Sequence, residues 1–246
     1  MVINQRAMKR QIFTLLWACY ALGYAQAQQA VGTETATNEL ERVLETLNRP
    51  AAKDSDIEHP GWKDPALLAR LRSIAGSATN LPPSWTAQLW LAVIEFDDIQ
   101  RETRRPEIRR KVDAFNVKLD NIIASAGDGW QAKAARISKC ASLFFARRWD
   151  DCRTELDYIL KNIAAFRSET NPGFIQYAQV QGKALEVLEP EMRFIRLMIE
   201  AMEGNYQGAI EVARQIKSSF PQWSQRHRLD GTIELLKAGK CPFHIP

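Results

Sequence analysis

Between residues 108 and 122 the apolar side chains fall at Ile108, Val112, Phe115, Leu119 and Ile122, a spacing of four, three, four and three. Only an α-helix collects such positions on one face, so this segment is expected to be a helix buried along a single stripe. The same period runs through nearly the whole chain past residue 32. Leu40, Val43, Leu44 and Leu47 form a short stripe that stops at Asn48-Arg49-Pro50, and Asp64-Pro65 starts a helix faced by Leu67, Leu68, Leu71 and Ile74, with Gly76 as its stop. Ser84 is a candidate cap for a helix carrying Trp85, Leu89, Val93, Phe96 and Ile99, and Pro106 ends that helix and opens the next. Gly127-Asp128-Gly129 breaks the chain, and further helices are expected near Ala134–Phe145, Asp151–Phe166, Phe174–Leu188, Glu191–Met202, Gln207–Ser219 and Gly231–Ala238. No stretch alternates polar and apolar residues with β-branched enrichment, so no strand is expected. The fold class is all-α, with short connections that make successive helices antiparallel neighbours.

The start of the chain reads differently. Arg6, Lys9 and Arg10 precede an apolar run, Ile12 to Ala25, and Ala25-Gln26-Ala27 is a small-residue cleavage site. Residues 1–27 are therefore expected to be a secretory signal cleaved after Ala27, which places the mature protein in a bacterial periplasm or outside the cell. The run is too short for a bilayer span. A competing reading, lipidation at Cys19 within Leu16-Trp17-Ala18-Cys19, meets a bulky Trp17 where such sites resemble small residues. The formal charge of +4 comes largely from this segment, which holds three of the 33 basic residues and none of the 29 acidic ones. The remainder is nearly neutral, so nucleic acid is not an expected partner. Residues 28–63 are expected to hold one helix and a Pro-containing linker, and residues 64–246 the main helical domain.

Two segments resemble half-repeats of the tetratricopeptide family of helix–turn–helix solenoids. One is Gly204-Asn205-Tyr206-Gln207-Gly208-Ala209-Ile210, closed by Pro221 after Phe220; the other is Trp149-Asp150-Asp151-Cys152 with Leu156, Ile159 and Leu160 following. The upstream helices lack the family's Trp-x-x-Leu-Gly opening. The half-repeats stand 57 residues apart, not a multiple of 34, so the array is irregular. The resemblance implies antiparallel helix pairs stacked as a right-handed solenoid, and a binding surface rather than a reaction. In that arrangement the residue twelve positions before the small residue of the second helix faces it at closest approach. The resemblance thus implies a disulfide between Cys140 and Cys152, two of the three cysteines left after signal removal; buried free thiols are the alternative, and Cys241 is left over.

Motifs of catalysis are missing. The chain has no Gly-x-Gly-x-x-Gly, phosphate loop, His-Glu-x-x-His, Gly-x-Ser-x-Gly, Ser-x-x-Lys or Cys-x-x-Cys, and no Glu followed by Ser as in lytic transglycosylases, which also use helical superhelices. His59, His227 and His244 are its only histidines. Asp54-x-Asp56-x-Glu58-His59 lacks a calcium loop's glycine and terminal Glu and reads as a solvated loop. Neither a cofactor nor a metal site is expected. Glu95, Asp98 and Glu102 share a helix face and are followed by Arg101, Arg104 and Arg105, a pattern that suits internal ion pairs. Candidate partner-binding residues are Arg101, Arg104, Arg105, Arg109 and Arg110, which crowd the bend at Pro106, and Trp62 and Trp223 near loops. The expected function is a non-catalytic exported scaffold that binds a protein or peptide in the cell envelope. The alternative is an envelope hydrolase or lyase, or a glycan carrier using Trp62 and Trp223, on the same scaffold.

Overall fold

The computed structural model describes residues 34–47, 60–77, 81–180 and 185–243. The segment 1–27 expected to be a signal, the acidic run from Asp54 to His59 and His244 lie outside the described residues. Every described regular element is helical, and no strand occurs among them. None of the described helices is long and apolar enough to cross a membrane. The chain divides into two compact units, residues 1–87 and 88–246.

In the first unit, helix α1 covers 34–47 and buries all four residues of its stripe, Leu40, Val43, Leu44 and Leu47. A 3-10 turn at Pro60–Lys63 leads to α2, Pro65–Ser77. Asp64 caps α2 as its type and place require: its Oδ1 accepts the backbone N–H of Ala66 at 2.8 Å and of Leu67 at 3.3 Å. The expected stop at Gly76 falls inside the last turn. Helix α3, Pro82–Gln100, begins in this unit, ahead of the expected cap Ser84. Pro82 and Pro83 lack an N–H and suit a first turn, so the helix starts on them. Ser84 instead donates its hydroxyl to the Ala75 carbonyl at 2.7 Å.

The second unit continues α3 and adds α4 (Arg105–Ala126), α5 (Trp130–Phe145), α6 (Trp149–Lys161), α7 (Ile163–Arg167), α8 (Pro172–Val180), α9 (Leu188–Met202), α10 (Tyr206–Ser219), α11 (Pro221–Arg226) and α12 (Leu229–Lys237). All five stripe residues of α4 are buried, and so is Asn116 beside them. Phe96 stacks on Phe115 at 5.4 Å and meets Phe145 edge-on at 6.2 Å. Gly127 turns the chain with φ +56°, a conformation open to glycine. The single helix expected over Asp151–Phe166 is two, because Asn162 leaves helical geometry and its Nδ2 donates to the Tyr158 carbonyl at 2.8 Å. The short α11 was not anticipated.

Helices pack in sequence as α4 on α5 and α5 on α6, after which α6 packs directly on α9, α9 on α10 and α10 on α12. Helices α7 and α8 thus form an excursion between two neighbouring helices. Within it α8 lies against α5, tied by the Ser138 and Tyr177 hydroxyls at 2.8 Å; a Cβ on Gly173 would stand 2.5 Å from the Trp130 ring. The excursion accounts for the 57 residues that separate Trp149 from Tyr206, the two residues that open α6 and α10.

Candidate functional site

The arginine-rich bend is partly neutralised from within. Arg101 pairs with Asp97 at 2.7 Å, Arg104 and Lys111 converge on Glu102 at 3.3 and 3.0 Å, and Arg110 pairs with Glu107. Glu102 also accepts the backbone N–H groups of Thr103 and Arg104. The Lys111 ammonium, then the Arg104 N–H, hold its carboxyl down at about 2. The internal pairing expected of this charged face is present, with Glu95 reaching Lys118 of α4 at 2.5 Å. Three of the five arginines proposed for a partner thus meet acids of their own turn; Arg105 is half-buried and Arg109 exposed on the same first turn of α4.

The two tryptophans belong to different units. Trp62 is half-buried in the 3-10 turn of the first unit. Trp223 is 8% exposed and belongs to the core around Leu197, Ala209 and Leu229, so its expected role as an exposed stacking group needs correction. Pro221 opens α11 and turns Trp223 inward, where His227 covers its face at 3.9 Å and Phe194 its edge at 5.4 Å. Part of it still lines a shallow apolar depression of about 370 Å³ with Val187, Pro190 and Phe220.

Cys140 and Cys152 are fully buried and face each other across α5 and α6, with sulfurs 3.7 Å apart. That is contact between two thiols, against the roughly 2.05 Å of a bond. Cys241 is exposed near the C-terminus.

A concave site among the described residues joins α4, α5 and α6, a groove of about 450 Å³ that sequence reasoning did not single out. Helix α4 contributes Asp113, Asn116, Val117 and Asp120; α5 contributes Lys139 and Leu143; the start of α6 contributes Arg148, Asp151, Thr154 and Glu155. Asp113 and Asp120 lie seven apart and Asp151 and Glu155 four apart, so each helix sets its acids on one face. That second, polar period beside the apolar stripe was the available signal. Two cations organise the acids. Lys139 bridges Asp120 at 2.6 Å and Glu155 at 3.0 Å, and Arg148 bridges Asp113 and Asp151, the latter at 2.6 Å. Burial alone would lower the Lys139 pKa, but Asp120 and Glu155 raise it above the ordinary value and keep it charged. Glu155 is itself buried and also accepts Arg136 at 3.0 Å.

Under the groove, the Ser142 hydroxyl donates to Asn116 Oδ1 at 2.7 Å. Asn116 is 6% exposed, and its Nδ2 has no partner among the described residues. A buried donor left unmade is costly, so this amide stands out from the satisfied groups around it. Among the described residues no group of three His, Cys, Asp or Glu is placed to hold a metal ion. Comparison of the chain with known protein families, with curated proteins and with solved structures finds no match.

Proposed function

We propose that this chain is an exported, non-catalytic scaffold that holds a protein or peptide partner in the cell envelope. Its helix pairs would stack as a tetratricopeptide-like right-handed solenoid. The observation that carries the reading is the open groove across α4, α5 and α6, set on consecutive packed helices and rimmed by polar side chains around the exposed Val117. Further support comes from the small residues Cys152 and Ala209, both fully buried at the same place in α6 and α10. The carboxyls whose pKa moves also point to structural ion pairing rather than acid–base work. Glu102 and Glu107 fall through their Lys and Arg partners; burial alone would raise Glu169, but Lys133 outweighs it and brings it down as well. A photo-crosslinking residue at Val117, 61% exposed, should yield a discrete adduct in envelope preparations, while one at Leu235, 43% exposed in α12, should not. Equal labelling from both positions would remove the groove from the proposal.

Export would also act on the cysteines. After cleavage behind Ala27, an exported thiol–disulfide oxidoreductase would accept two electrons and two protons from Cys140 and Cys152, reducing its own disulfide as theirs forms. Closing that short loop stabilises by about 3 kcal/mol in the chain-entropy account. Protein recovered from the periplasm should begin at Gln28 and expose only Cys241 to alkylation after denaturation; three alkylatable thiols would overturn the cross-link.

A further inference from the structure

Cys140 and Cys152 differ from Cys241 in what can reach them. Both lie in the α5–α6 seam and are 0% exposed, whereas Cys241 is exposed. Ile137 and Leu143 stand three residues to either side of Cys140 on α5, and Leu156 follows Cys152 by one turn of α6; all three are buried. Helix α8 packs on α5 and α9 on α6, so neither helix of the pair is a free edge. Yet the seam closes without a bond. The sulfurs are in van der Waals contact at 3.7 Å, and the Cys152 thiol donates to the Cys140 carbonyl at 3.4 Å. The closed hairpin thus accommodates two thiols as small apolar residues.

Thiol–disulfide exchange proceeds by attack of a thiolate on a disulfide sulfur, through a mixed disulfide. That intermediate brings a second molecule's sulfur to about 2.05 Å from the sulfur of Cys140 or Cys152, which the closed hairpin encloses. The packed seam leaves no room for such an approach. A reductant's thiolate meets the same wall in the reverse direction. A path opens only when the hairpin opens, and helices packed on both sides open rarely. With oxidised glutathione as the oxidant, the two thiols give up two electrons and two protons. One sulfur–sulfur bond forms in the protein, and that of glutathione breaks to give two glutathione thiols.

We infer that Cys140 and Cys152 are a folding-gated redox site: the fold closes around either the two thiols or their disulfide, and afterwards the two forms interconvert only through opening of the α5–α6 hairpin. The inference deepens the cross-link proposed above by fixing when that bond forms, and it rests on that proposal only for an oxidising compartment. An exported chain is oxidised before α5 and α6 close, and a chain that closes first keeps its thiols. The redox form of the folded protein then records the conditions in which it folded, not those in which it is held. Cys241 has no such protection and follows the solution around it.

The test follows each cysteine by mass in the chain from Gln28, folded under reducing conditions and moved into oxidised glutathione without urea. Samples are quenched in acid, denatured, alkylated and mapped. Cys241 should take up glutathione, while Cys140 and Cys152 should form their disulfide at least about 100-fold more slowly. Urea below the unfolding midpoint should speed the pair steeply and leave the Cys241 rate nearly unchanged. Glu155→Val, which loosens the seam by removing the partner of Arg136 and Lys139, should speed the pair by about tenfold or more. Chain oxidised while unfolded and then refolded should resist reduced glutathione to the same degree, and circular dichroism should show equal helix content in the two forms. Oxidation of the pair at the rate of Cys241 without urea overturns the inference and leaves the cross-link standing. So does a rate that neither urea nor a destabilising Glu155→Val changes. A reduced chain that does not fold overturns the inference as well. Three alkylatable thiols in protein recovered from the periplasm would remove the cross-link there, while the rates measured in glutathione would still decide the gating.

Discussion

The hairpins α5–α6 and α9–α10 are built on one plan with two outcomes. Counting 57 residues on from the first gives the second. Trp149 matches Tyr206, the buried Cys152 matches Ala209, and the buried Leu156 and Ile159 match Ala213 and Ile216. Across the packed seam the two hairpins are the same object. They part on the neighbouring face. Buried Glu155 in α6, holding Arg136 and Lys139, corresponds to the half-buried Val212 in α10, which joins the apolar core. Arg148 and Asp151, which pair at the mouth of the groove, correspond to Asn205 and Gly208, where Asn205 Oδ1 simply caps the helix by accepting the Gly208 N–H at 3.1 Å. One hairpin spends these positions on closing its own core. The other spends them on a charged wall of ion pairs between helices.

The comparison is broken most directly by giving the first hairpin the second one's residue. Glu155→Val should destabilise the protein by about 3 kcal/mol, because Arg136 and Lys139 lose a buried counter-charge that they share. Both cations keep some access to water and Lys139 keeps Asp120, which holds the figure at the low end for a broken buried pair. A shifted urea midpoint at unchanged m-value is the expected reading. A neutral result would mean that the charged wall is not integral to the α5–α6 packing.

The shared seam is sharpened by overpacking both halves. Ala209→Leu and Cys152→Leu each place a large side chain where helices meet at closest range, and each should cost about 1–3 kcal/mol. Similar losses in thermal melts under reducing conditions would establish the two positions as equivalent. A tolerant Cys152→Leu beside a damaging Ala209→Leu would show that only α9–α10 is closely packed.

That seam was legible because its positions obey one simple rule, apolar residues at helical period with a small residue at the crossing. The stripe of α4 and the stripe of α1 followed the same rule and are buried residue for residue. The groove did not follow it. Lys139 meets Asp120 and Glu155 only after three helices have packed, and nothing local in the sequence pairs residues 19 apart on one side and 16 apart on the other. Asn116 next to Phe115 looked like an ordinary polar edge of the stripe; its burial depends on Ser142 of α5. Trp223 failed for the converse reason. Its neighbourhood of Pro221, Arg226 and Arg228 reads as solvent-facing, yet Phe194 from α9 supplies the apolar wall that draws it in. Arg101–Lys111 showed its charges plainly, but only the bend at Pro106 brings Lys111 back onto Glu102. Local pattern carries the seam, whereas pairings between helices carry the site.

The smallest expected effect lies in the turn that joins each helix pair. Arg147 and Gly204 occupy matching places, 57 residues apart, and both have positive φ, 58° and 82°. Glycine adopts this conformation without penalty, while a residue with a Cβ bears about 1–2 kcal/mol there. The α9–α10 turn therefore has the residue its backbone favours, and the α5–α6 turn does not. Gly204→Ala should lower stability by about 1 kcal/mol, although a Cβ there would meet nothing within 4 Å, so the loss is conformational and not steric. Arg147→Gly should act in the opposite sense. Relief of the left-handed strain outweighs the larger entropy of glycine in the unfolded chain and the side-chain contacts given up, leaving a gain of about 0.5 kcal/mol. Opposite shifts of the urea midpoint in the two variants are the expected result. A loss in both would mean that the Arg147 side chain contributes more to the α5–α6 turn than its backbone conformation costs, and that the strained turn belongs to the charged side of the comparison.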